Sequence, residues 1–160
     1  MNRFVLALLL CGFFVASAAA QSTIFVVRHA EKAESGGNDP DLSQAGRARA
    51  ESLANILKEA GITAIYATEF KRTQETAAPL AKTIGIEVVR LPGKSTPELA
   101  AKLRSLQGAN ALVVGHSNTI PQLTKALGVD APVSMAENDY DNLLVVVLDK
   151  KPRLLRLHYR

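Results

Sequence analysis

From Thr23 onward, short apolar runs rich in β-branched residues alternate with stretches of helical periodicity. Thr23-Ile24-Phe25-Val26-Val27 is a continuous apolar run of strand length, the pattern of a strand covered on both faces. Residues 28–41 are polar and contain Gly36-Gly37-Asn38-Asp39-Pro40, which reads as a loop. Ser43 can then cap a helix running to about Ala60, with Ala45, Ala48, Leu53, Ile56, Leu57 and Ala60 on its apolar side and Gly61 ending it. Residues 62–67 form the second predicted strand. A helix over residues 73–84 closes at Gly85, and Glu87-Val88-Val89 is a brief third strand. Thr96-Pro97-Glu98 opens another helix, with a capping hydroxyl and proline at the first helical position. Residues 111–114 make a fourth strand, followed by a short helix over about 120–127. Two closing strands, 143–148 and 153–158, flank a turn at Asp149-Lys150-Lys151-Pro152.

Strands alternating with helices imply right-handed crossovers. The expected fold is one α/β domain of three layers, a mostly parallel sheet with helices on both faces. The first 20 residues stand apart from this pattern. Asn2-Arg3 is a short positive start, residues 4–16 are almost wholly apolar, and Ala18-Ala19-Ala20 offers a small-residue cleavage site. That order is the order of a secretory signal peptide, and the apolar run is short for a bilayer span. The alternative is an uncleaved N-terminal anchor. Lipid attachment at Cys11 is disfavoured by the bulky Leu10 before it. The organisation read from the chain is therefore a signal peptide over 1–20 and a domain over 21–160, with a periplasmic or secreted destination and no stable membrane insertion after cleavage. Cleavage after Ala20 leaves a chain without cysteine, which suits an oxidising compartment.

At 48% hydrophobic and 21% charged residues, the composition is that of a folded globular protein. The formal charge of +4 is spread along the chain, which argues against a nucleic-acid partner.

Candidate chemistry follows from the strand ends, because ligands of open α/β sheets bind beyond the carboxyl ends of the strands. Arg28 and His29 follow the first strand. Thr68-Glu69-Phe70-Lys71-Arg72-Thr73 follows the second, and Gly115-His116-Ser117-Asn118 the fourth. Two of the three histidines and two arginines thus converge on one edge; His158, in a strand-like pattern near the C-terminus, reads as structural. Arg72 near a helix N-terminus opposes the macrodipole unless an anion sits there too. Together these groups make an anion-seeking site suited to phosphoryl transfer. Guanidinium forks can hold the equatorial oxygens of a transferring phosphoryl group, and a neutral imidazole can attack phosphorus. A second imidazole, protonated, would add positive charge to the transition state. No metal or other cofactor is required by this set.

These residues resemble the histidine phosphatase (phosphoglycerate-mutase-like) superfamily. Arg28-His29-Ala30 is similar to its Arg-His-Gly signature, with Ala30 where glycine is usual. Leu42-Ser43-Gln44-Ala45-Gly46-Arg47-Ala48-Arg49-Ala50 resembles its Leu-Thr-x-x-Gly-x-x-x-Ala helix start. The run from Tyr66 through Arg72 to Ala77 is similar to its Ser-x-x-x-Arg-x-x-x-Thr-Ala segment, and Val114-Gly115-His116-Ser117-Asn118 to its second histidine motif. The resemblance implies a phosphatase working through a covalent phosphohistidine at His29 on a small phosphorylated substrate, a phosphomonoester or phosphoramidate. Arg28, Arg72 and His116 would complete the pocket, with Ser117 and Asn118 as further phosphate ligands. Many members carry a general acid in a segment after the Arg-x-x-x-Thr-Ala helix; here Glu87 falls inside a predicted strand. Glu137, Asp139, Glu31 and Glu69 are the remaining candidates, and without any acid the reaction favours good leaving groups. A non-catalytic module binding phosphorylated ligands at the same site is the alternative function. The sequence does not specify the substrate or the oligomeric state.

Overall fold

In the computed structural model, residues 21–160 are described. The leader expected over residues 1–20 lies outside them. The elements run in the order β1 (Ser22–Arg28), α1 (Gln44–Leu57), β2 (Ile62–Thr68), α2 (Lys71–Ile84), β3 (Val88–Leu91), α3 (Thr96–Arg104), β4 (Asn110–Gly115), α4 (Thr119–Ala126), β5 (Asn142–Leu148) and β6 (Arg153–His158). One six-stranded sheet carries them in the order β3-β2-β4-β1-β5-β6. The four strands joined by helical crossovers are parallel, whereas β5 and β6 run antiparallel and form a hairpin at one edge. This arrangement matches the expected three-layer α/β class.

Alternation along each strand divides the core in two, because successive side chains point to opposite faces. Val27, Ile65, Leu112 and Val114 pack with Leu53 and Leu57 of α1 and Leu80 of α2. On the other face Ile24, Val26, Val113 and Leu144 meet Leu103 of α3 and Ile120 and Leu123 of α4. β1 and β4 are buried on both faces, which is why their sequences are continuous apolar runs. Among the described residues, no helix is long and apolar enough to cross a membrane.

Several element ends differ from the sequence expectation. α2 begins at Lys71 rather than Thr73, which places Arg72 in its first turn. The third strand is Val88–Leu91, so Glu87 precedes it, at the edge of the sheet opposite the strand ends that carry Arg28 and His116. Ser95 caps α3 in place of Thr96, without a side-chain hydrogen bond, and Pro97 sits within the first turn. Ser43 does cap α1, accepting a hydrogen bond from the Gly46 amide at 3.0 Å.

The register aligns Arg28 with Gly115 across the β1–β4 pair, so His29 and His116 leave neighbouring strands at the same level. The His29 amide continues the pairing by donating to the Gly115 carbonyl at 2.9 Å. α1 presses onto this strand end. A Cβ on Gly46 would lie 2.1 Å from the Glu31 carbonyl oxygen, so only glycine admits that approach.

Candidate active site

Five chain segments meet above the ends of β1, β2 and β4 in an open cleft of about 600 Å³. Arg28, His29, Arg72, His116, Ser117 and Asn118, all singled out from sequence, line it. The imidazoles of His29 and His116 lie edge to face with centroids 5.3 Å apart. Arg28 and His29 are almost fully buried, at 3% and 4% exposure.

His29 is held as a specific tautomer. Its Nδ1–H donates to the Ala30 carbonyl at 2.8 Å, which leaves the Nε2 lone pair free. Burial lowers its pKa to about 4; the bond to Ala30 opposes that shift, and the positive Arg28 and Arg72 reinforce it. The imidazole is therefore neutral and nucleophilic at neutral pH. α2 braces the strand end beneath it, since the Ala30 amide donates to Thr76 Oγ1 at 2.9 Å and Thr76 in turn donates to the Arg72 carbonyl at 2.7 Å. Ala30 needs no left-handed backbone, and no described non-glycine residue has positive φ.

His116 is the second imidazole of the cleft. Burial lowers its pKa to about 4 as well, aided by Arg72, with Glu69 acting in the opposite sense. The imidazole is therefore neutral at neutral pH when no anion lies beside it. Protonation at neutral pH therefore depends on the arrival of an anion. Thr119, which the sequence reading passed over, fixes its backbone by accepting from the His116 amide at 3.0 Å. Phe70, equally unforeseen, stacks edge to face with His116 at 5.2 Å and lies 4.4 Å beneath the Arg72 guanidinium.

The two arginines are already engaged. Arg28 Nη1 donates to the carbonyl of Ala136 at 2.9 Å and to that of Glu137, and its Nη2 lies 3.6 Å from the Glu137 carboxylate. The Tyr140 ring sits 4.5 Å from its guanidinium carbon. Arg28 Nε is buried with no protein acceptor, a donor left unpaired. Arg72 Nη1 lies 3.5 Å from Asp39, whose carboxylate also accepts from the Lys71 amide at 3.0 Å. That carboxylate is the anion that a cation in a helix first turn demands.

The acid candidates separate cleanly. Glu31 is committed to Arg49, which grips it through three hydrogen bonds of 2.6 to 2.9 Å, and it faces away from the cleft. That pairing holds its carboxyl below the usual range despite some burial. Asp139 accepts from the Ala136 amide at 2.9 Å and closes a turn. Neither lines the cleft. Glu69 and Glu137 do line the cleft: Glu69 accepts from the Gly93 amide at 2.7 Å, and Glu137 accepts from Ser117 Oγ at 3.3 Å. Lys32 and Lys94 join the rim, and no sequence signal marked them. His158 stays outside the cleft, pairing with Asp141 at 3.2 Å. Among the described residues, no group of three or more His, Cys, Asp or Glu is assembled to hold a metal.

Residues 24–93 match the family model described as the histidine phosphatase superfamily (branch 1). No curated protein matches the sequence. Among solved structures, the protein histidine phosphatase SixA complexed with tungstate superposes with a TM-score of 0.71 at 19% identity, covering 85% of this chain and 96% of that one. A mycobacterial glucosyl-3-phosphoglycerate phosphatase superposes with a TM-score of 0.68 at 16% identity, covering 84% and 97%. At these identities the structural likeness is one of fold.

Proposed function

We propose, from the match of residues 24–93 to the histidine phosphatase superfamily, that the chain is an exported phosphatase acting through a covalent phosphohistidine at His29. The observation that carries this reading is the His29 tautomer: its Nδ1 is tied to Ala30, its Nε2 is free, and two guanidinium groups and a second imidazole share its cleft. In the first step the Nε2 lone pair forms a bond to phosphorus while the bond from phosphorus to the leaving oxygen or nitrogen breaks. Arg28 and Arg72 hold the equatorial oxygens, exchanging Glu137 and Asp39 for the substrate. In the second step water takes the phosphoryl group from His29, releasing phosphate and restoring the free imidazole. Ser117 and Asn118, which line the cleft beside His116, would donate further hydrogen bonds.

Export rests on the leader-like order of residues 1–20. The substrates are small phosphomonoesters or phosphoramidates. Of the carboxylates near the site, Glu69 and Glu137 are those whose position suits protonation of a leaving group. Assay of the mature protein with an aryl phosphate, beside a His29→Ala control, tests the reading. Turnover by the native protein and none by the variant is the expected result; equal turnover by both contradicts it. Tight phosphate binding without turnover on any phosphorylated compound would instead favour the non-catalytic module.

A further inference from the structure

A chain of hydroxyl groups runs from α2 to the second histidine of the cleft. Thr73 Oγ1 lies 2.7 Å from the Phe70 carbonyl and 2.9 Å from Thr68 Oγ1, and Thr68 Oγ1 lies 2.8 Å from His116 Nε2. Each threonine hydroxyl has one proton to give. Thr73 Oγ1 also lies 3.0 Å from the Thr68 carbonyl, and both carbonyls can only accept, so the Thr73 proton goes to a carbonyl oxygen, the nearer being that of Phe70. Its oxygen can then only accept, which directs the Thr68 proton to Thr73. Were that proton given to His116 instead, two oxygen lone pairs would face each other at 2.9 Å. The polarity of the chain leaves Thr68 with only lone pairs to offer the imidazole.

We propose that Thr68 is a positioning residue that holds His116 as the Nε2–H tautomer and makes Nδ1 the nitrogen that exchanges protons with the phosphoryl group. Nδ1 has no protein partner among the described residues. The tautomer is the opposite of that at His29, where Nδ1 carries the proton and Nε2 is free. The two imidazoles are thus set for different work, one to give an electron pair and the other to gain a proton when an anion arrives. The charged and titratable groups around His116 are Arg28 and His29 from the end of β1, Glu69 ahead of α2 and Arg72 in its first turn. Phe70 covers the ring edge to face. Only Glu69 among them favours its protonation, so the negative charge of a bound phosphoryl group is what would stabilise a proton taken up from solvent on Nδ1. The catalytic part of this assignment rests on the phosphatase reading; the tautomer does not.

The test separates the two. Nitrogen-15 spectra of histidine-labelled, phosphate-free protein at neutral pH should show His116 as the Nε2–H tautomer. The same tautomer is expected in Thr68→Ser, and a mixture or the Nδ1–H form in Thr68→Val. A native protein with His116 as Nδ1–H overturns the proposal whatever the enzyme does, as does an unchanged tautomer in Thr68→Val. In the kinetic arm, loss of one hydrogen bond to the half-buried imidazole lowers kcat about tenfold in Thr68→Val with KM within about twofold. Thr68→Ser should recover activity to within about threefold of native. An unaltered kcat in Thr68→Val, with its tautomer changed, would contradict the positioning role while leaving phospho-His29 intact. Should the valine variant not fold, the native and serine spectra still decide the matter.

Discussion

The floor and the rim of the cleft are built by different means. The floor consists of strand ends and the first turns of α2 and α4: Arg28 and His29 are buried, and His29, Ala30, Thr76, Thr68 and His116 are linked by hydrogen bonds of 2.7 to 3.0 Å. The rim consists of loops carrying Lys32, Lys94 and Glu137, whose side chain is 87% exposed. Chemistry that needs atoms held in place is confined to the floor, where packing over-determines each position. The rim is left to shape access and charge, and can change without disturbing the fold.

Breaking the floor should have the largest effects. His29→Ala removes the attacking nitrogen, and kcat for an aryl phosphate should fall about 10³-fold or more with the melting temperature nearly unchanged. Arg72→Ala should lower kcat by about 10² to 10³-fold, because it strips a fixed cation from the transferring group. Gly46→Ala probes the same floor from behind: the new methyl meets the Glu31 carbonyl, and denaturant unfolding should show a loss of about 1–3 kcal/mol.

A pH series sharpens the contrast. Both cleft histidines titrate near 4 in the folded protein and near the ordinary 6.5 when unfolded. Between those values the unfolded chain binds more protons, so folding stability must fall as pH drops below about 6.5 and continue to fall towards about 4. Inorganic phosphate should blunt that loss, because a bound dianion raises the pKa of His116. A melting temperature independent of pH across this window would contradict the neutral pair. At the rim, Glu137→Gln should alter aryl phosphate turnover by less than about threefold, as expected for an exposed ion pair. A selective fall with alkyl phosphates would identify Glu137 as the leaving-group acid.

Legibility in the sequence follows the same division. Arg28, His29 and His116 were readable because each closely follows a continuous apolar run, and strand ends gather at one edge of a parallel sheet, whereas the bracing by Thr76 and Thr68 was not. Ser43 as a cap is a local feature and was equally visible. The rim was not readable. Arg28 contacts Glu137 across 109 positions of sequence, and no periodicity encodes that meeting. Glu31 misled because it is adjacent to the nucleophile in sequence yet turned towards Arg49 in space. The charge of His116 also depended on burial and on the orientation of nearby guanidiniums, neither of which a motif specifies.

The most direct measurement is to quench the mature enzyme during turnover of an aryl phosphate at alkaline pH and map the acid-labile phosphate by peptide mass spectrometry. The account predicts phosphate on the peptide that contains His29, and none in His29→Ala. Phosphate on His116, or steady turnover with no phosphorylated histidine at any time, would contradict it.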